Sequence, residues 1–365
     1  MDEELPDKPI KGRGAVSNRS GRFEATARVL IDDGWSGGGS GGVDDDLPPL
    51  RTTLGVDAAR SILSRNNSPD IVFDASINPY RGCEHGCVYC YARPTHAYLG
   101  LSPGLDFETK LFHKPNAVEL LERELRAPRY RPQIIALGSN TDPYQPVERE
   151  TRLTRQILQV LAAYNNPVMV VTKSALIVRD IDILAPMAAK GLAQAAISLT
   201  TLDRGLARKL EPRAASPERR LDAIRRLSAA GIPVAVLASP MIPALNDHEL
   251  ERLVEAGADQ GAVAANSILL RLPLEIADLF SEWARAHFPD RAERILSLIR
   301  QSRGGALNDP RFGARMEGTG PYAALLRRRL ERVCARLGLS KGAVAARTDL
   351  FSPPPRPGDQ LSLFG

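Results

Sequence analysis

Three of the chain's four cysteines fall close together, at Cys83, Cys87 and Cys90, with the spacing C-x3-C-x2-C. Three thiolates this close in sequence can fold around one inorganic core. In a cubane iron–sulfur cluster each iron is usually held by its own thiolate. Three local thiolates would leave one iron open to another ligand. Gly82 and Gly86 give the run the freedom to wrap as a tight loop. A zinc site and a disulfide pair are the other readings of these residues. Zinc wants four ligands, commonly from paired C-x2-C units. His85 would be squeezed between Cys83 and Cys87, and Cys334 lies far along the chain.

The stretch from Asn78 to Arg93, Asn-Pro-Tyr-Arg-Gly-Cys-Glu-His-Gly-Cys-Val-Tyr-Cys-Tyr-Ala-Arg, places Tyr89 directly before the third cysteine. It resembles the signature of the radical S-adenosylmethionine enzymes, in the branch that includes the spore photoproduct lyases. The resemblance implies a [4Fe–4S] cluster held by Cys83, Cys87 and Cys90. It implies that the open iron chelates S-adenosylmethionine, which is reductively cleaved to a 5′-deoxyadenosyl radical. An external electron donor is implied with it. The same resemblance assigns Lys173 to the cofactor's carboxylate, and Ser198 and Thr200 to its methionine or ribose end. Thr141 and Asp142 offer acceptor oxygens to its amino group, since an ammonium only donates. Tyr89 and Tyr91 flank Cys90 and are expected near the adenine and the cluster. One position departs from the pattern. Spore photoproduct lyases carry a hydrogen-donating cysteine after the second strand, where this chain has Asn140. Their reaction is therefore not carried over, and Tyr144 or recycled 5′-deoxyadenosine becomes a candidate hydrogen source.

The elements that must position these residues are also legible. Short, nearly continuous apolar runs at 71–75, 133–138, 168–172, 195–200, 233–238 and 262–270 predict strands buried on both faces of a parallel sheet. Helical periodicity separates them, as over 116–126 and 150–164. Ser216-Pro217 predicts a capped helix start. Gly191, Gly231 and Gly257 are expected just past three helix ends. The fold class is α/β. A partial (β/α)6 TIM-type barrel is what the resemblance implies, with an open doubly wound sheet as runner-up. Both put the site at the C-terminal ends of strands. The stretches Glu211-Pro-Arg213 and Arg219-Arg220 fit cofactor contact and helix ion pairing equally.

Around this core, at 70–273, the sequence predicts a polar, glycine-rich flexible N-terminal arm at 1–50. Within it, Lys11-Gly-Arg-Gly-Ala15 and Asn18-Arg-Ser-Gly-Arg-Phe23 resemble an N-terminal segment of the same family branch. Docking on the core is the alternative to the preferred reading, a partly ordered arm. A mostly helical extension is expected at 274–347 and a proline-rich tail at 348–365. Formal net charge is +5. From Arg291 to Arg347 there are thirteen Lys/Arg against four Asp/Glu. Such a basic excess suits nucleic acid, or a solvated helix face. The tail ends in Gln360-Leu-Ser-Leu-Phe364, which resembles the pentapeptide that repair proteins insert into the bacterial sliding clamp. Gln360, Leu361, Leu363 and Phe364 would be the binding residues. The start of the chain lacks the pattern of a signal peptide, and no run is long enough to span a membrane. With few cysteines, clustered, the expectation is a reducing cytoplasm. DNA or another nucleic acid is the first choice of substrate. The alternatives are a protein or small-molecule substrate, and a non-enzymatic iron–sulfur protein that binds nucleic acid.

Overall fold

The computed structural model describes residues 9–24, 26, 50–340 and 346–355. Ten strands are present among them: β1 (Thr53–Val56), β2 (Leu63–Arg65), β3 (Ala75–Ile77), β4 (Tyr80–Arg81), β5 (Lys110–His113), β6 (Ile135–Leu137), β7 (Val168–Thr172), β8 (Ala193–Ser198), β9 (Val234–Met241) and β10 (Ala264–Leu269). The main sheet runs β10-β9-β8-β7-β6-β3-β2. Six of these strands, β3 and β6 to β10, pair parallel, and β2 closes one edge antiparallel. Their spatial order follows chain order with no reversal. A doubly wound sheet would reverse direction at a switch point. The arrangement is the partial barrel. The first barrel strand begins at Ala75 rather than at residue 71, because Ile71–Asp74 is a bend region in which Val72 and Asp74 are exposed and Ile71 and Phe73 only partly buried.

Strands β6 and β8 are buried at every position. This is why the sequence shows apolar runs there rather than alternation. Helices between the strands cover the sheet. Pro217–Ala229 starts as expected, with the Ser216 side chain accepting from Arg219 N. Gly191 and Gly231 follow helix ends in the left-handed conformation, at φ +73° and +77°. Gly257 does not. It lies inside the helix Leu250–Asp259, and Gly261, at φ +93°, stands in the left-handed region instead. Periodicity marked a glycine near a helix end, but two glycines compete there.

The extension is helical, over Ile276–His287, Ala292–Gln301 and Gly320–Leu337. It does not stand apart from the core. Phe280, Trp283, Ile295 and Ile299 share one apolar cluster with Cys87, Val88 and Tyr89. Beyond it, Phe351 packs against Tyr130 and Tyr164, with ring centroids 5.3 and 6.3 Å away. The first part of the tail is thereby returned to the barrel. Residues 356–365, with Gln360, Leu361, Leu363 and Phe364, lie outside the described residues. No helix among the described residues is long and apolar enough to cross a membrane.

Gly257 is needed for close helix–strand contact. A Cβ there would stand 2.8 Å from Val236 Cβ. Gly257→Val should destabilise the fold by about 1–3 kcal/mol, the usual range for overpacking. Urea unfolding of the purified variant checks this.

Candidate active site

The cysteine loop follows β3 and β4 and is wound by short-range backbone bonds. Gly86 N donates to Cys83 O at 3.3 Å, Cys90 N to Cys87 O at 3.2 Å, and Arg93 N to Cys90 O at 3.1 Å. Gly82 and Gly86 adopt φ +72° and +67°, which only glycine enters without strain. All three thiols are free, with Cys83 and Cys87 buried. Burial pushes both thiols up, Cys87 to about 12. Buried thiols close enough to feel one another's charge suit a positively charged inorganic core. Among the described residues no three His, Cys, Asp or Glu side chains gather as ligands of a single ion. A cubane makes a different demand, because each thiolate meets its own iron. Cys334 is buried in the main core on the helix Gly320–Leu337. It cannot join the loop, so the donor set is three thiols and fits a cluster with one open corner.

A buried ion pair holds the loop from beneath. The Arg93 guanidinium donates to the carbonyls of Cys87 (2.9 Å), Pro103 (3.0 Å), Gly104 (2.9 Å) and Gly86 (3.1 Å), and pairs with Glu108. Glu108 in turn accepts from Gly14 N at 2.9 Å and Ala15 N at 2.8 Å. The N-terminal segment was expected to be a flexible arm. Over residues 13–18 it is instead seated on the loop. Arg13 bonds the Glu108 carbonyl at 3.1 Å, Ser17 bonds Glu282 at 2.6 Å, and Asn18 bonds Asp106 at 3.0 Å. The docking runs through the Arg13, Ser17 and Asn18 side chains as well as the Gly14 and Ala15 amides, and a polar composition does not show where such groups find their partners.

From the other side the loop is held through Asp142. Its carboxylate accepts from Thr172 Oγ1 (2.7 Å), Lys173 N (2.8 Å) and Tyr144 N (2.9 Å), and stands 3.3 Å from His85 Nδ1. Burial opposes its charge, but His85 and these donors bring it down to about 2. Asp142 thus joins β6, β7 and the cysteine loop, and its lone pairs are engaged by the protein itself. The Thr141 hydroxyl donates to Tyr80 O at 3.0 Å. Both were expected to face the cofactor's amino group, and both serve the loop's own architecture. Aspartate and threonine at a strand end look alike in sequence whichever way they turn.

The remaining expected residues converge. Tyr89 OH donates to Glu211 and lies 3.3 Å from Thr200 Oγ1. Thr200 donates to Glu211 at 2.6 Å. Arg220 pairs with Glu211 and donates to Ser198 O at 3.1 Å. Burial pushes the Glu211 carboxyl up, but Arg220 and Lys173 outweigh it and hold it at about 2. Burial, with the Glu211 charge, lifts Tyr89 well above the usual phenol range. It is a neutral donor. The Lys173 ammonium lies 5.8 Å from the Tyr89 ring centroid. No carboxylate among the described residues lies within ion-pair distance of it, so it is open to an anionic ligand. Of the two readings that sequence spacing left open for Glu211 and Arg220, the structure shows the ion pair, placed beside Tyr89 and Thr200.

At the β10 end, Tyr91 is 47% exposed, its hydroxyl donates to Ser139 O, and Arg271 stands 4.8 Å from its ring centroid. Tyr144 is buried, with its hydroxyl 2.9 Å from Asp180. Part of the basic charge of the extension is paired: Arg329 with Glu251, Arg336 with Glu255, Arg327 with Glu317 and Arg315 with Asp70.

Gly14 tests the N-terminal seat. A Cβ there would lie 1.7 Å from the Gly86 carbonyl oxygen. Gly14→Ala should lift the segment and loosen the loop, costing about 1–3 kcal/mol. Hydrogen exchange of the 82–92 amides should speed up in the variant, and unchanged protection would show that the seat is dispensable.

Comparisons with known proteins place this geometry. The model of the radical SAM superfamily matches residues 77–257. An uncharacterized protein of Mycobacterium tuberculosis is 38% identical over 238 residues, covering 64% of this chain and 70% of its own length. An uncharacterized protein of Methanocaldococcus jannaschii is 29% identical over 173 residues, covering 47% of this chain and 62% of its own. Among solved structures, spore photoproduct lyase complexed with a dinucleoside spore photoproduct shares the fold, with a TM-score of 0.56 and 15% identity over 78% of this chain and 79% of that one. The cysteine loop, the parallel partial barrel and these matches agree: the chain belongs to the radical SAM superfamily and is a radical SAM enzyme.

Proposed function

We propose that this enzyme binds a [4Fe–4S] cluster through Cys83, Cys87 and Cys90, binds S-adenosylmethionine beside it, and acts on a nucleic-acid base. Bound together, the two groups supply a 5′-deoxyadenosyl radical by one-electron reductive cleavage, and the protein supplies orientation and shielding. Lys173 offers its ammonium to the cofactor's carboxylate. Tyr89 forms a wall beside it, fixed by Glu211 and Thr200, and Ser198 and Thr200 border the same space. Arg93, Glu108 and residues 13–15 keep the cysteine loop closed against water.

The observation that carries the substrate class is the rim beyond β10. Tyr91 and Phe312 are 47% and 61% exposed, and each has a guanidinium near its ring, Arg271 and Arg315, both at 4.8 Å. The two rings at an open strand end offer stacking faces, and Arg271 adds positive charge, while Arg315 is held over Phe312 by its pair with Asp70. Single bases use that combination. The structural neighbour with a dinucleoside photoproduct bound shares only the fold, so the rim bears the argument. Asn140 leaves the second strand end without a thiol, so the hydrogen returned to product has a different source from that of the photoproduct lyases.

Anaerobic reconstitution followed by S-adenosylmethionine and dithionite tests the first part. The expected product is 5′-deoxyadenosine, and Ala at Cys83, Cys87 or Cys90 should abolish it. Absence of 5′-deoxyadenosine from the cluster-loaded native protein would overturn the assignment. Lys173→Ala should weaken S-adenosylmethionine binding by about 1.5–3 kcal/mol, the range for a bond to a charged group, measured by calorimetry. For the substrate, Tyr91→Ala and Phe312→Ala should each weaken binding of a single-stranded oligonucleotide by about 1–3 kcal/mol. Fluorescence anisotropy reads this directly, and equal binding by native and variant proteins would remove nucleic acid from the reading.

A further inference from the structure

A cavity of about 380 Å³ opens where the loops after β6, β7 and β8 meet the cysteine loop. Its wall includes His85, Arg149, Ser174, Arg213 and Arg219. Two of these residues are chain neighbours of residues in the cofactor site. Lys173 turns toward Tyr89 while Ser174 lines the cavity, and Arg220 turns to Glu211 while Arg219 lines the cavity. The same two loops therefore serve two spaces. His85 is the link between them, since it lies between Cys83 and Cys87 and also forms part of the cavity wall.

The charge of this wall is one-sided. Arg213 is tied to Glu84 at 2.9 Å and its backbone N–H reaches His85 O at 3.3 Å. Arg149 and Arg219 are exposed. Among the described residues neither has a carboxylate within ion-pair distance. Elsewhere on this surface arginines are commonly paired, as Arg155 is with Asp182 and Arg204 with Glu218. Two exposed guanidiniums beside a concave wall attract an acidic partner. Electron-transfer encounters are small, weak and steered by charge.

We propose that this basic cavity is the docking surface for the acidic one-electron carrier protein that reduces the enzyme. The inference rests on the proposed cluster at Cys83, Cys87 and Cys90. One electron passes from the docked carrier to that cluster, so the carrier is oxidised by one electron and the cluster is reduced by one. No other group changes. The carrier approaches on the His85 side of the loop, away from Tyr91, so a bound substrate does not block reduction.

The test uses cluster-loaded full-length enzyme and a purified acidic flavodoxin. Arg149→Glu with Arg219→Glu should raise the flavodoxin Kd about tenfold or more, and Arg149→Gln with Arg219→Gln should raise it less. Native binding should weaken as salt rises, as expected for exposed charges. Circular dichroism and iron content check that the variants are folded and loaded. Reversing Arg328 and Arg332, on the far helix Gly320–Leu337, should leave the Kd unchanged. The KM for flavodoxin should rise in the first variant, while dithionite-driven 5′-deoxyadenosine formation stays at the native rate. No native binding, equal binding by native and variant, or equal loss on reversing Arg328 and Arg332 would overturn the docking surface. So would loss of single-stranded oligonucleotide binding in the Arg149/Arg219 variant with flavodoxin binding intact. Failure of the dithionite reaction in native enzyme would instead overturn the cluster reading, which separates the two.

Discussion

The Arg93–Glu108 pair is the constraint on which the cysteine loop depends. Both side chains are fully buried. Taking two charges out of water costs several kcal/mol per ion, and their attraction offsets it only when the remaining donors and acceptors are filled. Here they are filled by backbone: four carbonyls on Arg93 and two amides on Glu108. The pair therefore gains its stability by fixing chain segments distant in sequence, the loop, the 103–108 turn and residues 14–15. A hydrophobic replacement could fill the same volume, but it could not orient those peptides.

A second constraint separates two ionised carboxylates by role. Asp142 is saturated by its own neighbours and closes the loop onto β6 and β7. Glu211 is saturated by Arg220, Thr200 and Tyr89, and stiffens the space beside Lys173. Each is held low by cations and donors despite burial. Lys173 differs, because among the described residues no carboxylate forms a direct ion pair with it, although Glu211 and Asp142 act on it from further off. An ammonium without a direct ion pair beside a fixed aromatic wall is a place for an anionic group, and the surrounding saturation keeps that place from collapsing.

Much of this was legible in the sequence because buried parallel strands and a tight cysteine run have strong local signatures. The six strands, the order they imply and the loop between Gly82 and Cys90 are local features of that kind. The convergence of Tyr89, Lys173 and Thr200 followed once the strand ends were located. What was not legible depends on side-chain direction or on backbone partners. Asp142 and Thr141 sit at the expected strand end but turn to the protein. The 13–18 segment docks through the Gly14 and Ala15 amides and through polar side chains whose partners lie far along the chain, so its composition reads as a polar arm. Gly257 and Gly261 are equivalent to a reader of periodicity, and the fold excludes a side chain at both for different reasons: Val236 crowds Gly257, while Gly261 has a left-handed backbone and faces Ser228.

Charge counting alone would have misplaced the nucleic-acid argument. The extension has a large formal excess of arginine, yet several of those arginines meet carboxylates on neighbouring elements, Glu251 and Glu255 on the helix Leu250–Asp259 among them. They bind the extension to the barrel, so their count overstates the field available to a polyanion. The arginines that retain a recognition role are those whose surroundings give them a second partner type. Arg271 sits over an exposed ring at the barrel mouth, whereas Arg315, over Phe312, is paired with Asp70. Arg149 and Arg219 line a concave wall beside His85. The first geometry suits planar bases, and the second suits a rounded acidic surface. On the proposed reading, position relative to the cysteine loop, more than total charge, separates substrate recognition from electron supply.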